Sequence, residues 1–128
     1  MRLLLDTHVF LWWCADDGRL STTVRTAVGS ADNEVYFSVV SGWEIAIKAR
    51  LGRLPLPEAP DEFVPLMLKR HAFTVLPITL KHVLADYSLP QHHSDPFDRL
   101  LAAQAANGDM TLVTNDRALS EYPVKTLW

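Results

Sequence analysis

Four acidic residues are spaced along this chain as metal-dependent phosphodiester chemistry requires: Asp6, Glu44, Asp98 and Asp116. Asp6 follows the apolar run Leu3-Leu4-Leu5, and Asp116 follows Leu112-Val113-Thr114-Asn115. Glu44 and Asp98 fall near the starts of predicted helices. Carboxylates gathered in one place repel one another unless a cation lies among them, and hard divalent cations take oxygen ligands. Carboxylates that hold one or two Mg²⁺ or Mn²⁺ ions activate water for in-line attack on a phosphodiester and offset the charge that builds on the phosphate. That route needs no protein nucleophile, and the sequence offers no evident Ser–His–Asp arrangement. Asp6 and Asp98 are the expected main ligands. Glu44 and Asp116 complete the set directly or through water, since Mg²⁺ keeps several waters. The chemistry expected is that of a divalent-metal nuclease.

The elements that must position these acids are legible from periodicity. Residues 2–6 read as a buried strand, and residues 8–14 as a short helix carrying Trp12 and Trp13. Ser21 is the expected cap of a helix over 22–29. Residues 35–39, β-branched and aromatic, read as a second strand. Ser41 or Gly42 opens a helix to about Leu51, stopped by Gly52. Residues 55–60 hold three prolines and read as a rigid loop, and Asp61 begins a helix to about Arg70. Residues 73–76 are a third strand. Thr79 caps a helix expected to turn Val83, Leu84 and Tyr87 inward. Asp95 or Pro96 starts a long helix through Ala106, with Asn107-Gly108 as its stop. Residues 111–114 are a fourth strand, Asp116 opens a helical turn, and 124–128 form a last edge strand. Strands alternating with helices predict an α/β fold, a central parallel sheet with helices on both faces, in one domain over 1–128.

In such a sheet ligands bind outside the carboxyl ends of the strands. Asp6 and Asp116 lie just past strand ends there, and Glu44 and Asp98 lie near helix starts at the same edge, where the dipole favours negative charge. Each acid also has an ordinary reading. Asp116 serves as an N-cap, and Asp95 and Asp98 decorate a helix N-terminus. Glu44 reads as a solvated helix residue, against mostly apolar neighbours. Asp6 has no evident capping role, and an acid abutting a buried Leu run needs a partner. Thr7, Ser38 and Thr114 carry hydroxyls near strand ends that orient ligands or water, or are ordinary turn and strand hydroxyls. Arg99 contacts a phosphate or pairs with a nearby acid, and pairing is preferred. His92 and His93 invite a zinc site, but adjacent residues rarely reach one metal, and no Cys or spaced His completes a tetrahedral set.

The totals set limits. At 128 residues and 48% hydrophobic, the chain supports one core. No apolar stretch approaches the roughly 20 residues that span a bilayer. Asp6 interrupts the N-terminal apolar run too early for a signal peptide. One cysteine, Cys14, excludes an intrachain disulfide framework, and the cytoplasm is the expected compartment. The net charge of −3 argues mildly against nucleic acid, but setting aside Asp6, Glu44, Asp95, Asp98 and Asp116 leaves ten acids against twelve bases. Lys48, Arg50, Arg53, Lys69, Arg70 and Lys81 line an RNA path or form solvated helix faces. Trp12, Trp13 and residues 51–56 are core, or an apolar groove for a partner.

Leu4-Leu5-Asp6-Thr7-His8, Ser41-Gly42-Trp43-Glu44-Ile45-Ala46-Ile47-Lys48, residues 95–105 from Asp95-Pro96-Phe97-Asp98-Arg99, and Leu112-Val113-Thr114-Asn115-Asp116 together resemble a PIN domain, and more narrowly a VapC-type toxin ribonuclease. The third stretch is the most specific. The resemblance implies a compact parallel sheet with flanking helices and a divalent-metal endoribonuclease. It implies Asp6, Glu44, Asp98 and Asp116 as the acidic quartet, with Asp95 an extra acid of one branch. It also implies an RNA substrate, a cognate antitoxin protein and a homodimer. The chain departs from the pattern at His8, where relatives commonly carry Asn or Ser. A haloacid-dehalogenase-type phosphatase would place a second acid two residues after Asp6, where this chain has His8. A receiver-type module would need an acidic pair after the first strand and a lysine near the last. A PIN-like binding module without catalysis remains the alternative to the nuclease.

Overall fold

The computed structural model describes residues 1–91 and 93–128. Five strands form one sheet: β1 Arg2–Leu5, β2 Glu34–Ser38, β3 Thr74–Leu76, β4 Thr111–Val113 and β5 Lys125–Leu127. Their order is β3-β2-β1-β4-β5 and all four pairings are parallel. Seven helices lie among the described residues: α1 Thr7–Cys14, α2 Thr22–Gly29, α3 Val39–Arg50, α4 Pro60–His71, α5 Leu80–Ala85, α6 Pro96–Gly108 and α7 Arg117–Ser120. None is long and apolar enough to cross a membrane.

β1 shows why this sequence makes three layers. Its Leu3, Leu4 and Leu5 are fully buried. Side chains alternate across a strand, so consecutive leucines serve opposite faces. Leu3 and Leu5 pack with Val9, Phe10, Val24 and Phe63 from α1, α2 and α4. Leu4 packs with Leu101, Ala102, Ala105 and Leu119 from α6 and α7. A continuous apolar run, rather than an alternating one, is the signature of a strand covered on both faces.

The strand order fixes the site. From β1 the chain steps outward to β2 and then β3, and it returns across β1 to place β4 and β5 on the other side. The order therefore reverses between β1 and β4, and the crevice at their carboxyl ends is where such sheets bind ligands. Asp6 follows β1 and Asp116 follows β4, and the Asp6 amide donates to the Val113 carbonyl across that boundary.

Three local expectations are corrected. α3 begins at Val39, because Ser38 caps it by accepting from the Val40 amide, so Glu44 lies in the second turn rather than the first. α6 continues through Asn107 and Gly108 and ends at Asp109, which takes the left-handed conformation at φ 50°. α5 turns its apolar face outward: Leu80, Val83 and Leu84 are exposed, as is Tyr87 in the 3-10 turn Asp86–Ser88 that follows. Periodicity shows that a helix has an apolar face but not which way it points. Here Thr79 and His82 form a capping box, and His82 and Ala85 are the half-buried positions.

Candidate active site at the carboxyl edge of the sheet

Asp6 is buried and uses both carboxylate oxygens. Oδ1 accepts from the Val9 amide at 2.9 Å, which makes Asp6 the N-cap of α1 and corrects the expectation that it has no capping role. Oδ2 accepts from the Thr114 hydroxyl at 2.5 Å, across from the end of β4. Burial raises the Asp6 carboxyl above its ordinary range, and the Glu44 charge adds to this. The hydrogen bonds from Thr114 and Val9 and the nearby His8 act against it.

Glu44, on α3, is 2% exposed. Its Oε2 accepts from Lys48 Nζ at 2.5 Å, one helical turn on. Its Oε1 is buried without a hydrogen-bond partner. A buried carboxylate oxygen left bare carries a desolvation penalty and marks a position for a donor or cation.

Asp98 lies in the first turn of α6, whose N-cap is Asp95 through a 2.9 Å bond from the Phe97 amide. Burial pushes the Asp98 carboxyl up to about 7. Asp95, Glu44 and Asp6 push in the same direction, and His93 opposes them. Asp116 caps α7 by accepting from the Ala118 amide, and its own amide donates to Thr114 Oγ1. Thr114 thus ties Asp6 and Asp116 together at the β1/β4 boundary.

His93 joins the acids. Its Nε2 lies 3.1 Å from Asp98 Oδ2 and 2.9 Å from Asp116 Oδ2, and its Nδ1 accepts from the Asp95 amide at 3.0 Å. Among the described residues, His93, Asp98 and Asp116 are the group of three potential ligands whose atoms lie within 4.8 Å of one another. Asp6 and Glu44 stand outside that trio, as buried neighbours whose charges reach Asp98. His92 lies outside the described residues.

The supporting residues divide. Thr114 holds an acid. Thr7 donates instead to Ser41 Oγ at 2.9 Å, and Ser38 to Gln104 Oε1 at 2.5 Å, inside the core. Arg99 is buried and turned to the 86–90 segment, where it donates to Asp86 Oδ1, the Asp86 and Pro90 carbonyls and the Tyr122 hydroxyl. It is therefore a staple of the segment leading to His93, as the pairing reading holds. Sequence reasoning misjudged two residues: Lys48, read as an RNA contact or a solvated face, pairs with Glu44, and His93, considered with His92 for a zinc site and set aside, meets Asp98 and Asp116. The signal for Lys48 was its i, i+4 spacing from Glu44. For His93 it was only a ring two residues ahead of a capping aspartate.

A parallel α/β sheet whose strand order reverses beside a cluster of acids is the class of scaffold this chain presents, and comparison with known proteins gives the family. The PIN domain family model matches residues 3–125. Ribonuclease VapC22 of Mycobacterium tuberculosis is 35% identical over 136 aligned positions, covering 98% of each chain. The structure of VapBC2 from Rickettsia felis, bound to a DNA fragment from their promoter, aligns with a TM-score of 0.72 at 15% identity, over 99% of this chain and 98% of that one. VapBC-1 from nontypeable Haemophilus influenzae aligns with a TM-score of 0.67 at 13% identity, over 99% and 97%. The chain belongs to the PIN domain family.

Proposed function

We propose that this chain is an Mg²⁺- or Mn²⁺-dependent endoribonuclease and the toxin of a type II toxin–antitoxin pair, with Asp6, Glu44, Asp98 and Asp116 as its catalytic acids. The observation that carries the reading is the convergence of four acids from four separate segments on the β1/β4 reversal. One of them is pushed up to about 7 and another keeps a bare buried oxygen. The four acids offer only oxygen, with the His93 imidazole beside two of them, and an oxygen-rich set of this kind fits a hard divalent cation better than zinc. Ribonuclease VapC22, similar over nearly the whole chain, supports RNA as substrate. The VapBC assemblies of like fold support an antitoxin partner.

Asp6, Asp98 and Asp116 would hold the cation, with Glu44 beside them. The bound ion supplies charge stabilisation and a more acidic water for in-line hydrolysis of the phosphodiester. The chain's own residues do the positioning. Thr114 and the Val9 amide fix both oxygens of Asp6, Lys48 orients Glu44, and the Asp95 cap sets the first turn that presents Asp98. A groove of about 390 Å³ lined by His8, Leu11, Trp12, Leu54, Leu56 and Phe63 is the surface assigned to the antitoxin. The outward face of α5, with Leu80, Val83 and Leu84, and the adjoining Tyr87 are assigned to pairing with a second copy. Leu84→Glu is expected to shift a dimer to monomer in light scattering, and an unchanged mass would remove α5 from the interface.

The function is tested by incubating purified protein with a panel of structured RNAs in Mg²⁺ or Mn²⁺, beside EDTA and Asp98→Asn controls. Cleavage is expected only for the wild type with metal. Cleavage that survives Asp98→Asn sinks the site assignment, and folded wild type that binds metal but cuts nothing favours a binding module.

A further inference from the structure

α3 carries an aromatic ring that the core does not use. Trp43 is 57% exposed, although the next two residues, Glu44 and Ile45, are buried. A large apolar side chain left open to water gains nothing from burial, and the outer face of a helix is ordinarily polar. The ring is nevertheless held. It meets Phe97 edge to face, with centroids 5.3 Å apart and planes at 82°. Two rings crossed in this way share at most one face of the indole, so the other stays open. Both rings are tied to the acids: Trp43 precedes Glu44, and Phe97 precedes Asp98. Ala46, Ile47 and Arg50 follow on the same side of α3, and with Trp43 they line a shallow groove of about 300 Å³. At its far end Arg50 is exposed and makes no ion pair or side-chain hydrogen bond among the described residues. Lys48, on the adjoining face, is engaged by Glu44.

We propose that Trp43 is a stacking platform for one unpaired base of the RNA and that Arg50 takes a phosphate beside it, so that this face of α3 seats a single strand next to the acids. This rests on the ribonuclease reading above. The chemistry of the two ends selects the occupant. An open indole and a bare guanidinium on one helix side match a ligand that is planar at one end and anionic at the other, which is a nucleotide. Stacking on an aromatic face is open to every base, and single strands offer that face whereas a duplex keeps its bases stacked inside. The charge is placed to suit. The carboxyl edge is acidic, so a polyanion needs its attraction beside that edge, and the last turn of α3 supplies it. The crossed Phe97 ring holds the indole in place before RNA arrives, so that stacking sacrifices little side-chain freedom. A second copy of the chain would want a broad apolar surface around the ring. Here the ring is followed by Ala46 and a bare cation, and the open aliphatic face lies on α5.

The test measures binding apart from cutting. Fluorescence anisotropy follows a labelled single-stranded RNA of about 12 nucleotides, and the same strand annealed to its complement. Asp98→Asn serves as the parent so that nothing is cut, and Trp43→Ala, Trp43→Phe and Arg50→Gln are each added to it. Trp43→Ala is expected to lower affinity for the single strand by about 5- to 100-fold, the range that loss of one base stack gives, and to leave the duplex unchanged. Trp43→Phe keeps a ring and should recover most of that loss. Arg50→Gln is expected to weaken both RNAs and to reduce the salt dependence by about one charge. With Asp98 intact, Trp43→Ala should raise KM for the cleaved RNAs more than it lowers kcat. Equal loss on single strand and duplex makes Trp43 a general surface contact and overturns the proposal, as does no loss on either. A fall from dimer to monomer mass in light scattering on Trp43→Ala gives this face to a second copy and also overturns it. A parent that binds neither RNA, with a wild type that cuts nothing, removes the ribonuclease reading and the platform with it. A wild type that cuts, with a Trp43→Ala that cuts and binds alike, removes the platform alone. Melting curves screen each variant, and Trp43→Leu, apolar but without a ring face, replaces Trp43→Ala if that variant unfolds, with the same outcomes.

Discussion

Asp98 carries the cost of the site in a form that can be titrated. Its carboxyl ordinarily ionises near 3.8, and in the fold burial beside Asp95, Glu44 and Asp6 pushes it up to about 7. Between those values the folded state holds a proton that the unfolded chain has released. Stability of the metal-free protein must therefore fall as pH rises from about 4 through about 7, the opposite of a salt-bridged aspartate. Asp98→Asn removes the ionisation. Relative to wild type in EDTA, the variant is expected to show no advantage near pH 4, and a gain that widens to roughly 1–3 kcal/mol above pH 7, while RNA cleavage is lost. Urea melts across that range check it, and a variant no more stable at pH 8 than wild type would remove the claim of electrostatic strain. At this scale the sequence was partly legible. Asp6, Asp98 and Asp116 were readable because each abuts a strand end or a helix start, whereas Glu44 lies a turn further into α3. The Thr114–Asp6 bond spans 108 positions and the His93–Asp116 contact 23, and no local pattern encodes such partners.

The elements explain why helix caps fall on residues proposed for the site. Asp6, Asp95 and Asp116 each accept from an amide in the first turn of the helix that follows them. A strand that ends at the ligand edge and feeds directly into a helix can give its junction residue two tasks, because free amides and the crevice at the strand ends lie at the same place. The cap reading and the site reading of such an aspartate are therefore compatible, and the two separate on mutation. Asp116→Ala loses the cap and the carboxylate, whereas Asp116→Ser keeps a capping oxygen. Ala is expected to cost about 1 kcal/mol and Ser only a few tenths, while both weaken Mn²⁺ binding. Melting in EDTA and metal titration together test this; equal stability loss in both variants would mean the aspartate charge, not its cap, supports α7. Helix stops and starts were legible where a side chain announces them, as at Ser21, Thr79 and Asp95. α3 was misplaced because Ser38 and Ser41 are both competent caps, and only the length of β2 decides between them.

At the scale of the molecule, the fold followed from the order of strands and helices, and its central strand from an unbroken run of three leucines. The facing of α5 did not, since exposure of an apolar face depends on what the rest of the chain, or a second chain, leaves uncovered. The same topology sets a thermodynamic consequence. Two layers of core hold four acids at one edge, so the folded state gains whatever free energy a cation gives back there. A ligand bound only by the folded state stabilises by about 2.7 kcal/mol at a hundred times its Kd, a rise in Tm on the order of 10 °C for a domain near this size. Mn²⁺ at saturation is expected to raise the wild-type melting temperature by that order at pH 8. The gain should be smaller at pH 5, because a proton on Asp98 competes with the ion. Asp98→Asn should lose most of it. Scanning calorimetry at the two pH values, with and without Mn²⁺, provides the test. A metal-induced rise that is the same at both values would show that the ion binds somewhere other than the edge formed by β1 and β4.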